Sequence, residues 1–226
     1  GSRGIGREVA LMAAGMGYDV AVNYTSNADK AADVVSAVEQ AGQRAMAVQA
    51  DVSQVEQVEA MFAAVDQELG TLDALINNAG IYGPRNYKPE DIDYAAWEEV
   101  MRVNVMAPLK VAAAFAGNVA AGDQKKLVTV SSRMGSIADN TSGDFYVYRS
   151  SKAAVNAAMV SFAHDTADRG LIVALLHPGW VKTDMGGDGG DLTPTESIAR
   201  LRKVIAGLGP ADNGHFFNHD GSKIPW

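Results

Sequence analysis

The sequence of 226 residues contains no cysteine. This excludes disulfides, thiolate zinc sites and iron–sulfur clusters, and it fits a reducing cytoplasm. Positive charge is also short: 27 acidic against 19 basic residues leave a formal net charge of -8. Nucleic acid and acidic membrane surfaces both require a cationic patch, so neither is expected as the main partner. No unbroken apolar run approaches the roughly 20 residues that span a bilayer, and no signal peptide is visible. The histidines (His164, His177, His215 and His219) do not cluster at metal-ligand spacing, so no metal site is expected. Missing too is a strand at the start. The chain opens on "GSRGIGREVALMAAG", a glycine turn followed directly by a helix, with no initiator methionine.

What is present is 47% hydrophobic and 20% charged, the profile of a single sizeable core. Short β-branched runs such as "DVAVNY", "RAMAVQADV", "LDALINNAG", "KKLVTVSS" and "LIVALLHPG" alternate with amphipathic stretches. Apolar strands joined by helices predict a parallel sheet covered on both faces, an α/β doubly wound fold. Ser53 with Glu56 three residues on predicts a capping box at one helix start. Thr193 and Pro194 predict the N-cap and first position of the last helix. A long helix from Asp93 contains Pro108 and should bend or break there. Two polar gaps follow strands, at "IYGPRNYKPEDID" and "GWVKTDMGGDGGDLTP". Such folds bind ligands there, and the glycines of the second predict a mobile lid over 184–200.

Gly1, Gly4 and Gly6 form G-x-x-G-x-G ahead of a helix. Glycines there let a pyrophosphate reach the backbone and the helix N-terminus, although glycine turns before helices are common. "INNAG" at Ile76–Gly80 reads as a turn-prone strand end, or as a loop fixed against a cofactor by Asn77 and Asn78. In "YVYRSSK", only Tyr148 of two tyrosines has a lysine four residues on, Lys152. Residues so spaced share a helix face. A nearby ammonium lowers a phenol pKa of about 10, which suits proton transfer to a carbonyl oxygen. The same spacing also arises by chance. Ser131 and Ser132 end a strand, and Asn104 is polar among apolar neighbours.

Taken in order, these motifs, with Asp51-Val52 after a strand and "PGWVKT" near the end, resemble the NAD(P)-dependent short-chain dehydrogenase/reductase family along nearly the whole chain. The resemblance implies a single-domain Rossmann-type fold over 1–226 and hydride transfer between nicotinamide and a carbonyl or alcohol, without a metal. It implies Tyr148 as general acid/base and Lys152 as the group that lowers its pKa and binds the nicotinamide ribose. Ser132 would polarise the carbonyl, and Asn104 would hold a relay water. Gly1, Ser2, Arg3, Gly4, Ile5 and Gly6 would carry the pyrophosphate. Asp51 and Val52 would meet the adenine edge, with Asn78, Ala79 and Gly80 on the adenosine side. Pro178, Gly179, Val181 and Thr183 would meet the nicotinamide end. The second strand ends without an acid, and Arg3 lies in the glycine turn, so NADP(H) is expected over NAD(H), with Asn23, Tyr24 and Thr25 lining the phosphate side.

The chain departs from the family in lacking the strand before the glycine turn. A fragment with a gap at the centre of its sheet is therefore expected. It also inserts "SIADNTSGD" between Ser132 and Tyr148. Its first half resembles 3-oxoacyl-carrier-protein reductases, and its C-terminal end resembles carbonyl reductases related to the C-signal proteins. The expected function is thus a cytoplasmic NADPH-dependent carbonyl reductase acting on a small molecule as a homodimer or homotetramer. A 3-oxoacyl thioester reductase and a non-catalytic dinucleotide sensor are the alternatives.

Overall fold

The computed structural model describes residues 1–85 and 88–226; Asn86 and Tyr87 of the first polar gap lie outside the described residues. The chain order is α1 (Gly4–Ala14), β1 (Val20–Tyr24), α2 (Ala28–Gln40), β2 (Ala45–Gln49), α3 (Val55–Leu69), β3 (Ala74–Asn77) and α4 (Tyr94–Met101). It continues through α5 (Ala107–Ala121), β4 (Lys126–Val130), α6 (Tyr146–Asp165), β5 (Ile172–His177), α7 (Pro194–Gly207) and β6 (His215–Asn218). All strand pairs are parallel, as β-branched strands joined by helices require.

The strands form two ladders, β1–β2 and β3–β4–β5–β6. Successive residues of the larger sheet pack on opposite faces. Leu127, Val173, Leu175 and Phe216 meet α5 and α6, while Val128, Ala174, Leu176 and Phe217 meet α1 and α7. Ala10, Ala14 and Val22 join Val34 and Val38 of α2 in a third cluster.

The predicted cap of α7 is observed as a full capping box between Thr193 and Glu196, with Pro194 in the first turn. The one predicted at Ser53 is not. Asp51 Oδ1 accepts from Ser53 N at 2.9 Å, which holds that residue in a turn and delays α3 to Val55. The long helix breaks ahead of Pro108, in a π-turn over Arg102–Met106, and Pro108 then sits in the first turn of α5, where its missing N–H costs nothing. Tyr94–Ala121 is long and apolar enough to cross a membrane by length and composition alone. Here Val111, Ala112, Phe115, Ala116 and Val119 of that span are buried within the domain.

Candidate active site

The C-terminal ends of β3, β4 and β5 carry the residues singled out in sequence, as an open parallel sheet requires of its ligand crevice. The motif tyrosine is decided by burial. Tyr146 is 42% exposed and Tyr148 only 8%. One turn along α6, Lys152 is buried, and its ammonium stands 5.7 Å from the Tyr148 ring centroid. Ser132 follows β4; its hydroxyl accepts from Met134 N at 3.2 Å, and its influence on the Tyr148 phenol is to draw the pKa down. The turn Arg133–Gly135 lies directly on α6. A Cβ on Gly135 would stand 2.8 Å from the carbonyl carbon of Lys152.

The expectation that Lys152 draws the Tyr148 phenol down is not met in the protein as it stands. Burial pushes Tyr148 up to about 12, partly offset by the Ser132 hydroxyl. It is Lys152 that moves down, to about 8, because its ammonium is fully desolvated and donates to Val130 O at 3.0 Å. The same burial has a stability consequence. A lysine with a depressed folded pKa penalises the native state below about pH 8, and the penalty fades as pH rises towards 10.5. Lys152→Met is therefore expected to raise stability by up to about 3 kcal/mol at pH 7, and by little at pH 10.5, while abolishing turnover. Thermal unfolding at the two pH values measures this.

Asn104 is not solvent-facing but almost fully buried, inside the π-turn. Its amide nitrogen donates to Ile81 O at 2.8 Å and Ser151 Oγ at 3.1 Å, and its oxygen accepts from Ile81 N at 2.9 Å. Gly80 lies between Asn104 and Lys152: an added Cβ would stand 3.3 Å from Asn104 Oδ1 and 3.7 Å from Lys152 Nζ. Asn77, in contrast, is structural. Its amide donates to Pro108 O at 3.1 Å and ties β3 to α5.

The glycine turn closes on its neighbours through backbone. A Cβ on Gly6 would stand 2.9 Å from both Asn78 Nδ2 and Gly1 Cα, and one on Gly1 would stand 3.0 Å from Asn23 O. Gly4 adopts φ +51, a left-handed conformation, and a Cβ there would meet Thr183 Cγ2 at 3.2 Å. Arg3 occupies the N-cap of α1 without a side-chain cap, leaving the first N–H groups of the helix to an external acceptor. A backbone cradle of this kind, with a buried ammonium beyond it, fits a pyrophosphate-bearing dinucleotide.

A model of short chain dehydrogenases matches residues 1–191. The chain belongs to the short-chain dehydrogenase/reductase family. It is 42% identical to the C-signal protein of Myxococcus xanthus over 157 residues, which cover 70% of this chain and 94% of that one. It is 32% identical to a 3-oxoacyl-[acyl-carrier-protein] reductase of Staphylococcus aureus, covering 81% and 73%. The NADPH-bound carbonyl reductase from chicken fatty liver superimposes with a TM-score of 0.87 at 28% identity, over 100% of this chain and 96% of that one. The protein is thus an oxidoreductase of this family.

Within this short-chain dehydrogenase, the remaining predicted residues divide. Asn23 is committed elsewhere: its amide nitrogen donates to Ala50 O at 2.9 Å and Val48 O at 3.3 Å, pinning β1 to β2, so it has no donor left for a phosphate. Tyr24 is half-buried and Thr25 exposed beside it. Asp51 and Val52 are half-buried where β2 ends, and Ala79 is exposed ahead of Gly80. Pro178 O accepts from Ser197 Oγ at 2.6 Å, and Gly179 takes φ +85 against Leu192 and His219. Val181 bridges to Leu192, closing a loop across 182–191.

Two glycines of this loop serve close packing. A Cβ on Gly186 would stand 2.0 Å from Val181 O, and one on Gly190 would stand 2.7 Å from Lys182 N. Residues 194–200 of the expected lid belong to α7. Arg3 and Asp184 form an exposed ion pair at 3.0 Å, joining the glycine turn to this loop, and Arg85 donates to Met185 O at 2.6 Å from the other side.

Tyr82 went unnoticed in the sequence. Its ring stacks on Tyr148 at 4.3 Å between centroids and 9° between planes. The available signal was an aromatic residue two places beyond "INNAG".

Proposed function

We propose that this protein is an NADPH-dependent carbonyl reductase of small or medium substrates with Tyr148 as general acid. The observation that carries the reading is a single buried cluster at the strand ends: Tyr148 and Ser132, both buried, with the Lys152 ammonium 5.7 Å from the Tyr148 ring centroid. A bound reduced nicotinamide supplies the hydride. Ser132 orients the substrate oxygen by hydrogen bond, and Tyr148 gives that oxygen its proton as negative charge develops there. Lys152 holds the nicotinamide ribose and stabilises the resulting phenolate. Asn104 fixes the loop after β3 and, with Gly80, the approach to Lys152. Gly4, Gly6 and the start of α1 hold the pyrophosphate, Asp51 meets the adenine edge, and Thr183 meets the nicotinamide end.

Preference for NADPH rests on Arg3, exposed in the glycine turn with no acid at the end of β1 to repel a 2′-phosphate. Arg3→Ala is expected to weaken NADPH binding about tenfold and leave NADH binding unchanged. Titration of protein fluorescence with each dinucleotide checks this, and equal losses would remove the preference. Tyr94, Met106, Leu109 and Tyr146, large and exposed on α4–α6, support a homo-oligomer.

The similarity to a 3-oxoacyl-[acyl-carrier-protein] reductase gives a second reading. Its acidic carrier would need surface cations; of Arg85, Lys88, Arg133 and Arg149, the three arginines are engaged by Met185 O, Asp139, and Ser142 with Gly143, and Lys88 is exposed. NADPH oxidation with aldehydes, ketones and 3-oxoacyl thioesters separates the readings. Absence of turnover despite tight NADPH binding would favour a dinucleotide sensor.

A further inference from the structure

The segment after β3 is built to aim one side chain. Both backbone groups of Ile81 are held by the Asn104 amide. Gly83 has φ +71, and a Cβ there would stand 2.5 Å from Val100 Cγ2 and 3.4 Å from Val147 Cγ1. Tyr82, between these two fixed points, is therefore not a freely placed loop residue. One face of its ring lies on Tyr148, and the Arg85 guanidinium stands 4.5 Å from its centroid. Phe145 meets it edge-on at 5.9 Å, and the Tyr82 hydroxyl reaches Met134 Sδ at 3.6 Å. Phe145 is itself held at φ 54 after Asp144 at φ 60, two left-handed residues that cost strain. Strain spent on orienting a ring against the site tyrosine points to a role for that contact.

We propose that Tyr82 is a positioning residue for Tyr148. It holds the phenol in one orientation and keeps water from its face, so that the proton stays on Tyr148 until a substrate oxygen takes it. The inference rests on Tyr148 being the proton donor. The stack extends outward through Arg85 to Met185 O, so the loop across 182–191 and the site tyrosine are joined by a continuous set of contacts. The charged and titratable groups that bear on this pair are Lys152 on α6, and Arg85 and Arg149 beside Tyr82.

The test is the pH dependence of NADPH-driven reduction of a small aldehyde, in wild type and in Tyr82→Phe, Tyr82→Leu and Tyr82→Ala. Reduction fails at high pH as the donor loses its proton, and a phenol that water can reach loses it earlier. Tyr82→Leu and Tyr82→Ala are expected to move the falling limb down by about one pH unit, while Tyr82→Phe, which keeps the stack, overlays wild type. NADPH binding reports folding. Tyr82→Leu retains bulk at the position and decides the matter if Tyr82→Ala does not bind. An unmoved limb with only a lower kcat would overturn the proposal, as would Tyr82→Phe behaving like Tyr82→Ala. If wild-type turnover does not depend on Tyr148, the underlying reading falls instead.

Discussion

Tyr148→Phe is expected to lower kcat by about 10³-fold while NADPH still binds with near wild-type affinity. The substitution removes one oxygen and keeps the ring that Tyr82 stacks on. Ser132 Oγ keeps Met134 N as a donor, so the turn after β4 remains satisfied. The lost function is therefore proton delivery and not folding. With the phenol pushed up to about 12 by burial, Tyr148 is protonated at neutral pH and ready for the reductive direction. Oxidation of an alcohol needs the phenolate and should rise with pH where reduction falls. Initial rates, dinucleotide titration and thermal unfolding of the same preparation test this. Retained turnover in the variant would remove Tyr148 from the chemistry.

Gly135→Ala should be nearly as damaging by a different route. The new methyl would stand 2.8 to 2.9 Å from the carbonyl carbon, Cβ and carbonyl oxygen of Lys152, in the middle of α6. Helix backbone cannot retreat by that amount, so the Arg133–Gly135 turn must lift and carry Ser132 with it. Displacement of about 1 Å at a positioning group costs about 10²-fold in kcat/KM, and overpacking costs about 1–3 kcal/mol. Gly207→Ala is the control, because nothing lies within 4 Å of an added Cβ there. Steady-state kinetics and denaturant unfolding of the two variants decide it. Wild-type kinetics in Gly135→Ala would show that the turn does not set the place of Ser132.

Much of this was legible because it depends on short-range rules. Parallel strands follow from β-branched runs, and the start of α7 follows from Thr193, Pro194 and Glu196, which need only one another. The Tyr148–Lys152 pair and Gly135 of "SSRMG" are local in the same sense. What was hidden depends on distant partners. Asp184, the partner of Arg3, is 181 residues away. Asn23 resembles a ligand donor until β2 takes its amide. The Tyr148 phenol rises instead of falling because desolvation depends on everything packed around it, including Tyr82. Ser53 failed as a cap because Asp51, two residues before it, captured its N–H first.

The π-turn at Arg102–Met106 has a meaning in chain length. Its closing bond runs from Ala107 N to Arg102 O, one residue further than an α-helical bond. The helix from Tyr94 to Ala121 therefore carries one supernumerary residue, absorbed where Asn104 turns inward. Removing any one residue between Arg102 and Met106 would let the helix run straight. The faces of the helix on either side of the deletion would stay in register, because the extra residue is the one the turn absorbs. Val100 would keep its place against Gly83, but Asn104 would lose the turn that aims it at Ile81 and Ser151. Substitutions in this span act on single contacts, whereas a change in residue count removes the inward turn itself.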